Sequence, residues 1–324
     1  MYKQFFGLRA NPFNMNPDPR YLFLTRHTEE ALACLTYGIQ SRKGFVLLTG
    51  EVGTGKTTLI NKLLEWLRLQ RVATAFVFNP RMDVPDFLDY MMTDFGIPPA
   101  AGGKSQKLRQ LYSWLLDRHR AGETSVLIVD EAQNLTDEML EEIRLMTNLE
   151  TFTEKLLQVV LVGQPELDQK LRQGNLRQLR QRLALQAKTH ALSREETSAY
   201  VAERLRIAGA NGQPFFSPEA IAAIHRYANG IPRVVNLICE HCLVGAFVDQ
   251  QKQVSVEIVD AVARDFELSG ADSGAGPVLR ETEKIDLIDA LKTLSNLADQ
   301  LRETEETEAT KAGNRGSGQG KLKA

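Results

Sequence analysis

A three-layer α/β domain built on a parallel sheet, followed by a small all-helical domain and a C-terminal helix, is the architecture this sequence predicts. Three observations carry that prediction. Short apolar runs alternate with helical stretches, the pattern of strand, crossover helix and parallel strand. The runs show little polar alternation, as strands covered by helices on both faces do. After about residue 192 the strand signal stops and helix start signals take over.

Taken in order, the runs are Phe45–Thr49, residues 73–78, Ser125–Val129 and residues 158–162. Between the second and third, Ser105 can cap a helix on which Leu108, Leu111, Tyr112, Leu115 and Leu116 fall at helical spacing. Ser193 and Glu196 have the spacing of a capping box, and Ser217-Pro218-Glu219 supplies a cap, a first-turn proline and an early acid. A further helix is expected over residues 234–245. Residues 269–276, rich in Gly, Ser and Ala, read as a linker. Beyond it Leu287, Leu291, Leu294, Ala298 and Leu301 repeat in steps of four and three, a seam that can pair with another helix or remain an isolated amphipathic one. Residues 311–324 have the composition of a disordered tail.

The chain has 324 residues, room for about two domains. Its 43% hydrophobic and 25% charged residues are those of an ordinary globular protein. A formal net charge of −2 leaves no global attraction to nucleic acid or anionic lipid. No stretch approaches about eighteen apolar residues, so no membrane span is expected. The first thirteen residues lack the apolar core of a signal peptide, and the expected compartment is the cytoplasm. Three cysteines make no disulfide framework; Cys239 and Cys242 lie three apart on one helical stripe with Val235 and Ala246, as buried thiols do. His27, His119, His190 and His225 show no partner spacing that argues catalysis.

Directly after the first run comes Gly50-Glu51-Val52-Gly53-Thr54-Gly55-Lys56-Thr57, which fits GxxxxGK[ST] and leads into an apolar helix beginning near Thr58. Strand, loop and helix in that order are the context this phosphate-binding loop requires. Glycines let the loop curl until successive backbone N–H groups and the helix N-terminus face the phosphates. Lys56 then meets the β- and γ-phosphate oxygens, and Thr57 supplies an oxygen to Mg²⁺. The third run ends in Asp130-Glu131, where a buried strand reaches the carboxyl edge at which open parallel sheets bind ligands. Asp130 is suited to hold the Mg²⁺ hydration shell, and Glu131 to polarise the water that attacks the γ-phosphate. Gln164, after the fourth run, falls at the same edge, within reach of that phosphate or water. Asn79, after the second, is placed to restrain Glu131; for both residues a plain loop role is the alternative.

From residue 168 to 190 lie Lys170, Arg172, Arg177, Arg180, Arg182 and Lys188 against one acid, Asp168. A solvated helix face is one reading. Another is an arginine presented to a neighbouring subunit, where it would stabilise charge on the transferring phosphate, with Arg182 favoured and then Arg180. A third is contact with a nucleic-acid backbone. Arg233, in Gly230-Ile231-Pro232-Arg233, opens a helix, where a cation is mildly opposed by the helix dipole and a phosphate would relieve the conflict.

In this order the loop, Asp130-Glu131, Gln164, the arginine run and Gly230 to Arg233 resemble the AAA+ ATPases across about residues 40–268. The resemblance makes Gly50 to Thr57 the Walker A loop with Thr58 beside it, residues 126–131 Walker B, Gln164 sensor 1, Arg182 the arginine finger and Arg233 sensor 2. The start of the chain is more specific. Tyr2-Lys3-Gln4-Phe5-Phe6-Gly7-Leu8, Asn11-Pro12-Phe13 and Pro17-Asp18-Pro19-Arg20-Tyr21-Leu22-Phe23, with Asp130-Glu131-Ala132-Gln133-Asn134-Leu135, are similar to the ExeA/GspA general secretion ATPases and their relatives in MSHA-type pilus and exosortase-linked systems.

That resemblance implies an ATP- and Mg²⁺-dependent hydrolase forming a ring or helical homo-oligomer, peripheral to the inner membrane through a protein partner of an envelope secretion, pilus or export system. It also places residues 21–27 near the base. The implied organisation is an adenine-side segment (1–42), a nucleotide-binding domain (43–192), a helical lid (193–268), a linker (269–279), an amphipathic or coiled-coil helix (280–308) and a tail (309–324). A DNA-bound AAA+ ATPase of the transposition target-selection type is the competing reading; the neutral net charge disfavours it.

Overall fold

Odd and even positions of each strand face opposite sides of a sheet, so a run that is apolar throughout must be covered twice. The computed structural model, which describes residues 2–78, 80–98 and 102–268, shows this. Asn79, the linker, the heptad seam and the tail lie outside the described residues.

The elements run in the order α1 (Tyr2–Phe6), α2 (Arg26–Gln40), β1 (Phe45–Thr49), α3 (Lys56–Leu69), β2 (Ala73–Val77), α4 (Val84–Asp94), α5 (Lys104–Arg120), β3 (Ser125–Val129), α6 (Asp137–Met146), β4 (Leu157–Gly163), α7 (Pro165–Leu171), α8 (Arg177–Gln181), β5 (Leu185–Lys188), α9 (Arg194–Ile207), α10 (Pro218–Ala228), α11 (Pro232–Val248) and α12 (Val256–Asp265). The five strands form one parallel sheet in the order β2-β3-β4-β1-β5. On one face Phe45, Leu47, Leu127, Val129, Val159 and Leu161 pack with residues of α4 to α8. On the other Val46, Leu48, Val126, Ile128, Val160 and Val162 pack under α2 and α3.

Several expected boundaries shift. Strand β4 gains a residue at each end, and β5 is an addition. In Leu185-Gln186-Ala187-Lys188 only Ala187 is buried, because β5 is an edge strand paired to β1 alone, so its composition carries no apolar run. Helix α5 starts one residue before Ser105, with Gly103 as its cap, and its buried stripe narrows to Leu111 and Leu115 while Tyr112 is exposed. The Ser193 to Glu196 capping box is formed, the Ser217 side chain accepts from the Ala220 N–H at 3.1 Å, and the helix expected over 234–245 extends to Pro232–Val248.

A second core gathers α9 to α12 with Phe6, Leu8 and Phe13 from the start of the chain. Phe13 is fully buried there, worth roughly 1.5–3 kcal/mol against exposure. Residues 1–42 are therefore not one piece: 2–13 join the helical core, and α2 joins the sheet. The aromatic residues of the first turns explain the division, since they find apolar cover only among α9 to α12.

Candidate functional site

The loop after β1 folds back on itself because its glycines permit it. Gly53 and Gly55 take φ of +80° and +94°, the left-handed region that a side chain disfavours. At Gly50 a Cβ would lie 1.9 Å from Oγ1 of Thr189, whose hydroxyl also meets that of Thr54 at 2.7 Å. Lys56 opens α3 yet is only 7% exposed, and its Nζ donates to the carbonyls of Gly50 at 2.7 Å and Glu51 at 3.0 Å. Burial lowers its pKa, and the nearby Glu131 and Asp130 work against that shift. The ammonium lies inside the curl, within the loop that a phosphate would complete.

Asp130 is 6% exposed at the end of β3. Burial raises the pKa of its carboxyl; the N–H of Glu131, 2.9 Å from Oδ1, Lys56 and the hydroxyl of Thr57 oppose the shift. A buried carboxylate beside an exposed threonine hydroxyl fits a hard divalent cation, which takes oxygen ligands and would reverse the shift. Glu131 has φ +52° and ψ +35°, rare for a residue with a side chain, and it turns the chain from β3 into a short 3-10 turn, Ala132–Asn134. Its Oε2 accepts from Nε2 of Gln133 at 2.5 Å and from Nε2 of Gln164 at 3.4 Å.

Arg233 reaches the loop from the helical part. Its N–H donates to the carbonyl of Gly53 at 3.2 Å, and its own Cβ would lie 2.8 Å from a Cβ at Gly53. Between the loop and the helices is a cavity of about 300 Å³. Lys56, Thr57, Thr58, Glu131 and Arg233 line it, together with Tyr21, Leu22, Phe23 and Thr28. Val52, Gly53, Thr54 and Gly55 belong to its wall, whereas Gly50 and Glu51 contribute the carbonyls that hold Lys56.

Two groups in this region hold positions that the sequence does not announce, although Gln133 falls within the motif from Asp130 to Leu135. Gln133 bridges Glu131 and Gln164, accepting from the Gln164 N–H at 3.1 Å. Arg204, 5% exposed on α9, lines the cavity and gathers it from behind: its guanidinium donates to the carbonyls of Pro12 at 2.5 Å and Asn14 at 3.1 Å and to the hydroxyl of Tyr200 at 2.7 Å, and lies 4.5 Å from the ring centre of Tyr21. Tyr200 in turn donates to Oδ1 of Asn236 at 2.9 Å.

The arginine run lies elsewhere. None of Arg177, Arg180 and Arg182 lines the cavity. Arg182 donates to Oγ1 of the buried Thr147 at 2.9 Å, Arg180 and Arg172 pair with Asp168, and Arg177 is exposed. Cys239 and Cys242 are fully buried and burial raises both thiols, that of Cys242 to about 12. Among the described residues no group of three or more His, Cys, Asp and Glu could hold a metal ion, and no helix is long and apolar enough to cross a membrane. His190 lines the cavity and its ring lies 4.7 Å from that of His27.

Residues 39–171 match the model of an AAA domain. The chain is 44% identical over 274 residues to General secretion pathway protein A of Aeromonas hydrophila, which covers 83% of this chain and 49% of that protein. It thus spans about half the length of this curated relative. Among solved structures it is similar to Drosophila ORC bound to DNA, with a TM-score of 0.61, 20% identity and 80% and 65% of the two chains covered. The Aeropyrum pernix ORC2 protein gives 0.59, 17%, 79% and 71%. The Thermotoga maritima RuvB Holliday junction branch migration motor gives 0.51, 15%, 82% and 76%. At these identities the solved structures show a shared fold.

Proposed function

The chain carries an AAA domain on a P-loop ATPase fold and is a homologue of General secretion pathway protein A, and from that premise we propose that it binds and hydrolyses ATP as an oligomeric switch serving an envelope-associated secretion, pilus or export system. The observation that supports this most is that Lys56, Thr57, Glu131 and Arg233, from three separate stretches of chain, line one cavity at the carboxyl edge of the sheet.

In this reading the loop from Gly50 to Thr57 cradles the phosphates with its N–H groups, and Lys56 exchanges its two loop carbonyls for β- and γ-phosphate oxygens. Thr57 and Asp130 would hold Mg²⁺, which when bound neutralises charge on those oxygens. Glu131 takes a proton from the attacking water, and Gln164 orients that water or the γ-phosphate. Arg233 draws the helical part towards the sheet, since its N–H already rests on Gly53. Arg182 completes the site of a neighbouring subunit in a ring or helical assembly. The stretch from 280 to 308 carries the change to a protein partner, which holds the assembly at the inner membrane from the cytoplasmic side.

The test is steady-state ATP turnover of the purified protein at stated salt, with and without duplex DNA. Lys56→Ala should abolish nucleotide binding, and Glu131→Gln should keep binding while lowering turnover by about 10²–10⁴-fold. Turnover indifferent to DNA is expected. Strong stimulation by DNA would replace the secretion role with a nucleic-acid role of the transposition-regulator kind. Unchanged turnover in both variants would remove the hydrolytic reading.

A further inference from the structure

The proposed hydrolysis turns on one carboxylate, and that carboxylate is held. Both side-chain hydrogen bonds to Glu131 among the described residues end on the same oxygen, Oε2. One donor is Nε2 of Gln133, which at its other end accepts the backbone N–H of Gln164. The carboxamide cannot be turned around without loss. A carboxylate only accepts and a backbone N–H only donates, so the amide nitrogen must face Glu131 and the amide oxygen must face Gln164.

The turn that delivers Gln133 is held by burial and by hydrogen bonds. Ala132 and Leu135 on either side of it are buried, the N–H groups of Asn134 and Leu135 donate back to the carbonyls of Glu131 and Ala132, and Lys170 donates to the carbonyl of Leu135. Room for the carboxamide comes from Gly163, where a Cβ would lie 2.7 Å from Oε1 of Gln133. Two loops that follow different strands, β3 and β4, are thus joined through a single side chain beside the cavity.

We infer that Gln133 is a positioning residue for hydrolysis, which by holding Oε2 of Glu131 together with the Gln164 N–H determines that Oε1 receives the proton and ties the base to the Gln164 loop. This rests on the reading of Glu131 as the base. As water attacks, its oxygen bonds to the γ-phosphorus and its proton passes to Oε1 of Glu131. The bond from the γ-phosphorus to the bridging oxygen breaks, and its electron pair leaves with ADP. With Gln133 in place the carboxylate plane meets this step already oriented; without it the group can rotate about its last torsion, and only part of its population turns a lone pair towards the water.

The experiment compares the full-length wild type with Gln133→Ala, Gln133→Met, Gln133→Glu and Glu131→Gln. It measures turnover against ATP concentration, affinity for a fluorescent ATP analogue, and melting temperature. Gln133→Met keeps the volume and removes both hydrogen bonds. It and Gln133→Ala should lower kcat by about 10- to 100-fold, with KM and nucleotide affinity within about twofold of the wild type. Gln133→Glu retains an acceptor for the Gln164 N–H but replaces the donor to Oε2 with a like charge, so it should lose kcat at least as far as Gln133→Met does. If Gln133→Met and Gln133→Ala turn over within twofold of wild type while Glu131→Gln is inactive, the positioning role is overturned and the base stands. A fall in nucleotide affinity or melting temperature that accounts for the loss of kcat in Gln133→Met and Gln133→Ala also overturns it, in favour of a role in the turn alone. Normal turnover by Glu131→Gln overturns both.

Discussion

At Gly53 the backbone takes φ of +80°, and a Cβ there would come within 2.8 Å of Cβ of Arg233 and 3.0 Å of Cγ2 of Ile231. The left-handed backbone alone costs about 1–2 kcal/mol for a residue with a side chain. The contact adds to this, because neither neighbour is the free end of a flexible chain. Gly53→Ala should therefore weaken nucleotide affinity by about tenfold or more, with a modest fall in melting temperature, checked by calorimetric titration with an ATP analogue. Affinity equal to wild type would mean that the loop can open away from Arg233 at no cost. The curl of the loop after β1 and the place of Asp130-Glu131 at the end of β3 were legible in the sequence because they rest on consecutive residues and a strand end. Gln133 lay two residues beyond Glu131 in plain view, but its function depends on Gln164, 31 residues away. Arg204 was illegible for the same reason: its partners are at residues 12, 14, 21 and 200.

Helix α1 is five residues long and could not persist alone. What fixes it is Glu240 on α11, the helix that Arg233 helps to open, whose carboxylate accepts from the Tyr2 hydroxyl at 2.9 Å and from Nδ2 of Asn11 at 2.9 Å. Burial pushes the Glu240 carboxyl above its ordinary value of 4.5, and the two donors only partly offset this. The folded chain then holds a proton to higher pH than the unfolded one. Its contribution to stability is fully present below about pH 4.5 and is lost as pH rises through the raised folded value. Glu240→Gln removes this dependence, so its urea midpoint relative to wild type should rise as pH increases above about 4.5. Tyr2→Phe takes away one donor and should destabilise by about 1–3 kcal/mol at neutral pH. A wild-type and Glu240→Gln difference that is constant across this range would show that Glu240 titrates as an exposed acid does. Central strands β1, β3 and β4 and the capped helices α9 and α10 were legible, since apolar runs and caps are local signals. Strand β5 was not, because an edge strand with one buried side chain is recognised only by the strand it pairs with.

Over the whole molecule, the strand order sets β1 beside β4 and so brings Gln164 next to the phosphate loop, while the helical core brings Arg233 to it from the other side. In the proposed reading a single chain would supply phosphate grip, base and lid arginine, while none of Arg177, Arg180 and Arg182 lines the cavity. In that reading each subunit of an assembly would receive a further cation from a neighbour. Arg182 is half-buried and tied to Thr147, Arg180 is paired with Asp168, and Arg177 is exposed, so the three differ in what they must give up to reach a neighbour. We expect Arg182→Ala to lower turnover by about 10³-fold or more while nucleotide affinity stays near wild type. Arg177→Ala and Arg180→Ala serve as parallel measurements. The decisive form is mixing. Lys56→Ala has an intact arginine and an empty site; Arg182→Ala has an intact site and no arginine. If the arginine acts across a subunit boundary, the two inactive proteins combined should recover turnover, because some sites in the mixed assembly hold both Lys56 and a neighbour's Arg182. Recovery with Arg177→Ala in place of Arg182→Ala would move the role to the exposed residue. Normal turnover by all three arginine variants, or no recovery in any mixture, would mean that each site works within its own chain.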